Sequence, residues 1–162
     1  MAIKVGESLP LTLKLKEMRQ GRPQDVTLGD IFKGKRVVVF AVPGAFTPTC
    51  SSKHLPGFLQ HAEAIKAKGV DAIVCVAVND AFVMGAWGNA QGAGDRVRML
   101  ADGNAEFTRA VGLSLDASGF GMGTRSQRYA MIVNDGIVQE LLVEPGSGLS
   151  VSSAESVLGK LS

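Results

Sequence analysis

The segment KRVVVFAVPGAFTPTCSSKH, residues 35–54, decides the fold. Its first part, 35–42, is a continuous apolar run biased to β-branched residues, the pattern of a strand covered on both faces. Pro43 and Gly44 break the run. Thr47 then suits the N-cap of a helix, and Pro48 its first position, where a missing N–H costs nothing. The helix is expected to continue to about Lys68, bent or interrupted at Pro56, with Gly69 ending it. A second buried strand follows at 72–78. Two strands joined in this way form a parallel pair with a right-handed crossover.

Working outward, Asp80 caps a helix through about Gly88. A short strand is expected at 96–100 and a short helix at 104–111. Strands at 128–133 and 137–143 make a hairpin around Asn134-Asp135-Gly136. Ser152 or Ser153 starts a final helix ending near Leu161. The N-terminal part, 4–30, is less legible, and VTLGDIF at 26–32 reads as a strand end or a short helical turn. The order describes an α/β protein of thioredoxin-like fold, a mixed central β-sheet with helices on both faces, forming one domain over 1–162.

Composition bounds the function. The chain has 162 residues, 46% hydrophobic and 20% charged, with a net charge of +2. Its lysines and arginines are scattered, which argues against nucleic acid or an anionic membrane as partner. The opening MAIKVGESLP lacks a basic stretch followed by an apolar one, so no secretory signal is expected. The apolar runs are too short to cross a bilayer. Two cysteines do not make a disulfide framework. The expected location is a reducing compartment: cytoplasmic, or an organelle matrix if a transit segment has been removed.

Cys50 is the third residue of the expected helix. The unpartnered N–H groups there, and the helix dipole, favour negative charge, and the thiolate is the reactive form of cysteine. Even complete ionisation multiplies the thiolate only roughly thirtyfold, about 2 kcal/mol. The site must therefore also stabilise a leaving group, each placed donor contributing roughly 3 kcal/mol. Candidate donors are the Thr47 hydroxyl, the Cys50 backbone N–H, and Arg128 at the head of the strand RYAMIV. The topology puts that strand end beside the helix start, and Arg125 is a second arginine within reach.

PGAFTPTCSSKHLPGF closely resembles the active-site segment of the peroxiredoxins, in the form of the type II or peroxiredoxin-five class, including plant-type and bacterial members. The signature Pro-x-x-x-Thr-x-x-Cys is met by Pro43, Thr47 and Cys50, and SQRYA carries the family's arginine as Arg128. Similarity extends through GVDAIVCVAVNDAFVMGAW, LADGNAEFTRAVGL and SSAESVL, almost the whole chain. The resemblance implies a thiol-specific peroxidase for hydrogen peroxide and organic hydroperoxides, with antioxidant function. Cys50 thiolate attacks one peroxide oxygen and becomes a sulfenic acid. Thr47, Arg128 and the Cys50 N–H hold the oxygens, and Pro43 shields the pocket. No metal, haem or flavin is implied. A homodimer is implied, with FVMGAW at 82–87 as core or interface.

The resetting step leaves Cys75 open. It is an inert buried hydrophobe or a resolving thiol, a cysteine that plant-type members share. The cysteine that some animal members use near the C-terminus has no counterpart in GLSVSSAE. We favour an external reductant, glutaredoxin with glutathione or thioredoxin, acting directly on Cys50. Against this stand a cysteine hydrolase using a histidine and a peroxide-sensing, redox-regulated binding module. His54, one turn after Cys50, reads as a base, a modulator of the thiol or the partner of a nearby carbonyl. Cys50 and His61 are about 16 Å apart along a regular helix, too far to share a metal ion. GFGMG at 119–123 is a loop rather than a dinucleotide fingerprint, because it precedes a strand instead of joining strand to helix.

Overall fold

The computed structural model describes residues 2–146 and 148–161. Its centre is β3 (Arg36–Val42), which lies parallel to β4 (Ala72–Ala77), itself parallel to β5 (Arg98–Ala101). Beyond β5, β1 (Lys14–Arg19) and β2 (Arg22–Thr27) form an antiparallel hairpin. On the other side of β3, β8 (Tyr129–Asn134) and β9 (Ile137–Val143) pair antiparallel. The seven strands run in the order β2-β1-β5-β4-β3-β8-β9. A separate pair joins β6 (Ser114–Asp116) to β7 (Thr124–Ser126).

Residues of β3 alternate between two apolar clusters, as the period of two demands. Val38, Phe40 and Val42 meet α2 (Leu55–Gln60), α3 (Ala62–Ala67), α4 (Ala81–Gln91) and α6 (Ala154–Lys160). Val37, Val39 and Ala41 meet α1 (Leu28–Phe32) and α5 (Glu106–Ala110). Each large apolar side chain fully buried this way contributes about 1.5–3 kcal/mol. The apolar run at 37–42 is unbroken because both faces are covered there, whereas Lys35 before it is exposed.

The segment after β3 departs from the expected single helix. A helical turn begins at Pro48. It passes into a π turn, Cys50–His54, in which the Leu55 N–H bonds to the Cys50 carbonyl five residues back. Pro56 has no N–H to offer the Ser52 carbonyl, so the ladder is free to widen just before it. The larger interruption is at His61, which separates α2 from α3. Thr47 is not observed as an N–H cap. Its hydroxyl donates to the Gly44 carbonyl at 2.7 Å, because Phe46 at φ 64° folds the turn back on itself.

Asp80 caps α4 through the Val83 N–H at 2.8 Å, and the helix runs to Gln91 before Gly92 at φ 71° stops it. Residues 26–32 supply both expected alternatives, the end of β2 and then α1, with Thr27 Oγ1 accepting from the Asp30 N–H. Ser153 caps α6. GFGMG lies in the connection between antiparallel β6 and β7, a 3-10 turn at Ser118–Phe120 followed by glycines at positive φ.

Candidate active site

Cys50 sits on the π turn, fully buried against the end of β3. Arg128, immediately before β8, extends its side chain to the same point. Its Nη2 donates to Cys50 Sγ at 3.3 Å, and its Nη1 lies 3.0 Å from His54 Nδ1. His54 Nε2 lies 2.9 Å from the Ser152 carbonyl. The imidazole also lies against the Phe40–Phe58 stack, whose centroids are 4.1 Å apart. Burial, with the Arg128 charge adding to it, lowers the His54 pKa to about 4 against the Ser152 hydrogen bond. Arg128 Nε is buried and has no hydrogen-bond partner among the described residues.

The loop following β9 supports this cluster from behind. Glu144 accepts from the N–H groups of Ser150, Val151 and Ser152 and from the hydroxyls of Ser150 and Ser152, at 2.7–2.9 Å. Burial opposes its charge, but those bonds outweigh burial and bring its pKa down to about 2.

A cavity of about 590 Å³ opens at the site, lined by Pro43, Thr47, Arg128, Leu115, Phe120 and Met122 among others. Cys50 lies behind this wall rather than in it. A larger groove, about 800 Å³, runs between α4 and the β1–β2 hairpin. It holds no nucleophile, and its Glu17 is tied to Arg19 and Arg98.

The other candidates separate from the thiol. Arg125 donates Nε to Met122 O and Nη1 to Val78 O, bracing the loops at the mouth of the site. Cys75 lies in β4 opposite Phe40, and burial pushes its thiol well above the ordinary range, so it stays protonated. His61 lies 3.9 Å from Glu155, on another part of the surface. Both nitrogens of His54 are engaged away from the sulfur, so no thiol–imidazole pair of the hydrolase kind is present. The sequence undervalued His54, read Ser152 only as a possible start of the last helix, and did not single out Glu144. The two contacts of His54 span 74 and 98 residues, and no local pattern announces them.

The redoxin family model matches residues 4–158. A rice protein named peroxiredoxin-2E-2, chloroplastic, is 51% identical over 98% of this chain and 72% of its own length. This chain belongs to the type II peroxiredoxins. The structure of reduced Prx3 from Vibrio vulnificus in complex with H2O2 superposes with a TM-score of 0.94 at 51% identity, covering 99% of both chains. Peroxiredoxin 5 from Alvinella pompejana gives 0.85 at 35% identity, covering 98% of this chain and 97% of its own. This peroxiredoxin is a thiol-dependent peroxidase of thioredoxin-like fold, with the mixed sheet described above.

Proposed function

We propose that Cys50 is the peroxidatic thiol and that Arg128, Thr47 and Pro43 form its substrate site. The observation carrying this is the 3.3 Å contact between Arg128 Nη2 and Cys50 Sγ. No carboxylate lies within ion-pair distance of this guanidinium among the described residues. Its Nη2 is therefore committed to the sulfur and not to a competing carboxylate.

The thiolate attacks the terminal oxygen of ROOH. An S–O bond forms, the O–O bond breaks with its electron pair leaving on RO⁻, and a proton converts that to ROH. Cys50 becomes a sulfenic acid. Arg128 Nε, buried and unpartnered, is a donor available to a peroxide oxygen. A donor aimed at developing oxyanion charge is worth about 2.7–4 kcal/mol in such sites. Thr47 gives its proton to Gly44, so its oxygen is set to accept from the peroxide O–H. That reverses the direction expected from the sequence. The largely apolar cavity suits the alkyl group of small organic hydroperoxides, and the Arg128 and Thr47 polar atoms suit the peroxide oxygens that hydrogen peroxide shares with them. The Vibrio relative's H2O2 complex supports the same substrate class.

Reduction is assigned to an external thiol, glutaredoxin with glutathione or thioredoxin. Cys75 is buried and protonated, which makes it a poor resolving group. Because Cys50 is itself fully buried, the reductant acts after the 48–54 turn opens. The chain works as one domain over 1–162 and as a homodimer. Phe46, Phe82 and Phe120, 56%, 64% and 86% exposed, are the apolar surface for that contact. No helix among the described residues is long and apolar enough to cross a membrane. Relatives in rice and Arabidopsis are named chloroplastic, which supports an organelle matrix beside the cytoplasm as a location. A peroxide-sensing binding module is the less favoured reading.

The test is stopped-flow oxidation with one equivalent of hydrogen peroxide, sulfenic acid trapping, and turnover with each reductant. Trp87, the sole tryptophan, donates to Ser51 Oγ at 3.0 Å and provides the fluorescence signal beside Cys50. Oxidation of wild type no faster than free cysteine, or sulfenic acid formed in Cys50→Ser, rejects the assignment.

A further inference from the structure

We propose that His54 is a positioning residue for Arg128, acting as a neutral imidazole whose hydrogen-bond direction is imposed from behind by the Glu144–Ser152 turn. The inference rests on the Cys50–Arg128 reading above and adds a residue to it.

The chemistry of each contact sets the direction of the next. The Ser152 carbonyl can only accept, so the nitrogen 2.9 Å from it, His54 Nε2, carries the proton. In a neutral imidazole Nδ1 is then a bare acceptor, and it takes an N–H from Arg128 Nη1 at 3.0 Å. An imidazolium would turn an N–H toward a guanidinium N–H, leaving two buried cations with no acceptor between them. The low pKa of His54 agrees with that exclusion. The groups facing the imidazole are Arg128 from the start of β8, Glu144 from the end of β9, the Ser152 carbonyl, and the rings of Phe40 and Phe58.

A guanidinium is planar and rigid, so holding Nη1 orients the whole fork. With Nη1 on His54, Nη2 falls on Cys50 Sγ and Nε is left without a partner. The anchor behind His54 is equally defined. Ser152 gives its N–H and hydroxyl to Glu144 Oε2 at 2.8 and 2.7 Å, which leaves its carbonyl for the imidazole. Glu144 in turn gives its backbone N–H to the Arg128 carbonyl at 2.9 Å. The bonds close a ring: Arg128 main chain, Glu144, Ser152, His54, Arg128 side chain. Each member of the ring constrains the guanidinium relative to the backbone that carries it.

Three substitutions separate positioning from packing. In His54→Asn the amide oxygen occupies the Nδ1 position and can accept from Arg128. In His54→Gln the amide reaches the Nε2 position and leaves Nη1 without an acceptor. His54→Leu fills the space with no polar atom. By stopped-flow oxidation with hydrogen peroxide, His54→Asn is expected within about tenfold of wild type, and Gln and Leu about a hundredfold or more slower, the loss found when a transition-state donor is misplaced. The order Asn above Gln and Leu is expected whatever the order of their melting temperatures. Wild-type rates in all three, or rates that merely follow melting temperature, overturn the proposal. Imidazole ¹⁵N shifts at pH 7 are expected to report the Nε2–H tautomer, and a cation or the Nδ1–H form also overturns it. Arg128→Gln distinguishes the two levels. If it oxidises like wild type, the Arg128 assignment fails; if it is slow while the three His54 variants are fast, only the role of His54 fails.

Discussion

Arg128 Nη2 lies 3.3 Å from Cys50 Sγ across a sequence separation of 78 residues. The contact exists because β8 pairs antiparallel with β3, which brings the start of β8 to the end of β3 where the π turn begins. Register sets the distance: Ala41 lies opposite Tyr129, so the residue before Tyr129 falls level with Val42 and the loop that carries Cys50. A slip of one residue would turn Arg128 to the other face of the sheet.

Removing the guanidinium should therefore slow chemistry far more than it harms folding. Arg128→Gln is expected to lower the rate of peroxide oxidation by about 10²–10³-fold, the range for loss of one oxyanion donor. Its urea midpoint should move modestly, since a buried cation is removed together with its charge-assisted bonds. Single-turnover stopped flow and a denaturation curve on the same preparation check both.

Cys75→Ala should leave turnover with glutaredoxin and glutathione within about twofold of wild type, a small effect on the scale where tenfold is about 1.4 kcal/mol. Its thiol is buried in β4 and held protonated. Near-total loss with every external reductant would instead make Cys75 the resolving thiol.

Acid should destabilise this fold in two stages. The folded pKa of His54 is about 4, below its ordinary 6.5, so the unfolded chain binds more protons between these values. Stability is complete above about pH 6.5 and falls as the pH drops, by up to about 1.4 kcal/mol per unit and roughly 3 kcal/mol by pH 4. Glu144, depressed to about 2, adds a loss that starts below its ordinary 4.5 and continues to about pH 2. Asp102 opposes both in sign, because burial raises its pKa and the folded state takes up that proton first. Urea midpoints at pH 7, 5.5 and 4.5 should decline for wild type and flatten for His54→Leu.

Glu144→Ala leaves the N–H groups of Ser150, Val151 and Ser152 without their acceptor. Ser150 and Val151 can turn to water, but Ser152 is buried, and an unsatisfied buried donor costs about 1–3 kcal/mol. Because the Ser152 carbonyl then loses its fixed place behind His54, the peroxide reaction should slow as well. Calorimetry with stopped flow measures both, and a destabilised variant with unchanged oxidation kinetics would uncouple the turn from the thiol.

Periodicity and chain chemistry determined much of this protein without tertiary information. The apolar run at 37–42 announced a strand buried on both faces and Pro48 announced a helix start, while Pro43, Thr47 and Cys50 pointed to a thiol site through their resemblance to a family signature. These signals are local, because backbone geometry and burial act over a few residues. The hairpin β1–β2 stayed illegible because its strands lie at and beside the sheet edge, where Lys14, Lys16, Arg22 and Asp25 are exposed and the apolar alternation is thin. The direction of the Thr47 hydroxyl, the π turn and the ring from Glu144 through Ser152 and His54 to Arg128 were decided only by folding. The hydroxyl and the π turn involve near neighbours but depend on how the 43–55 segment packs, and the ring closes through contacts 74 and 98 residues apart. Only the packed sheet, which removes water from these donors and acceptors, makes one pairing between them the favoured solution.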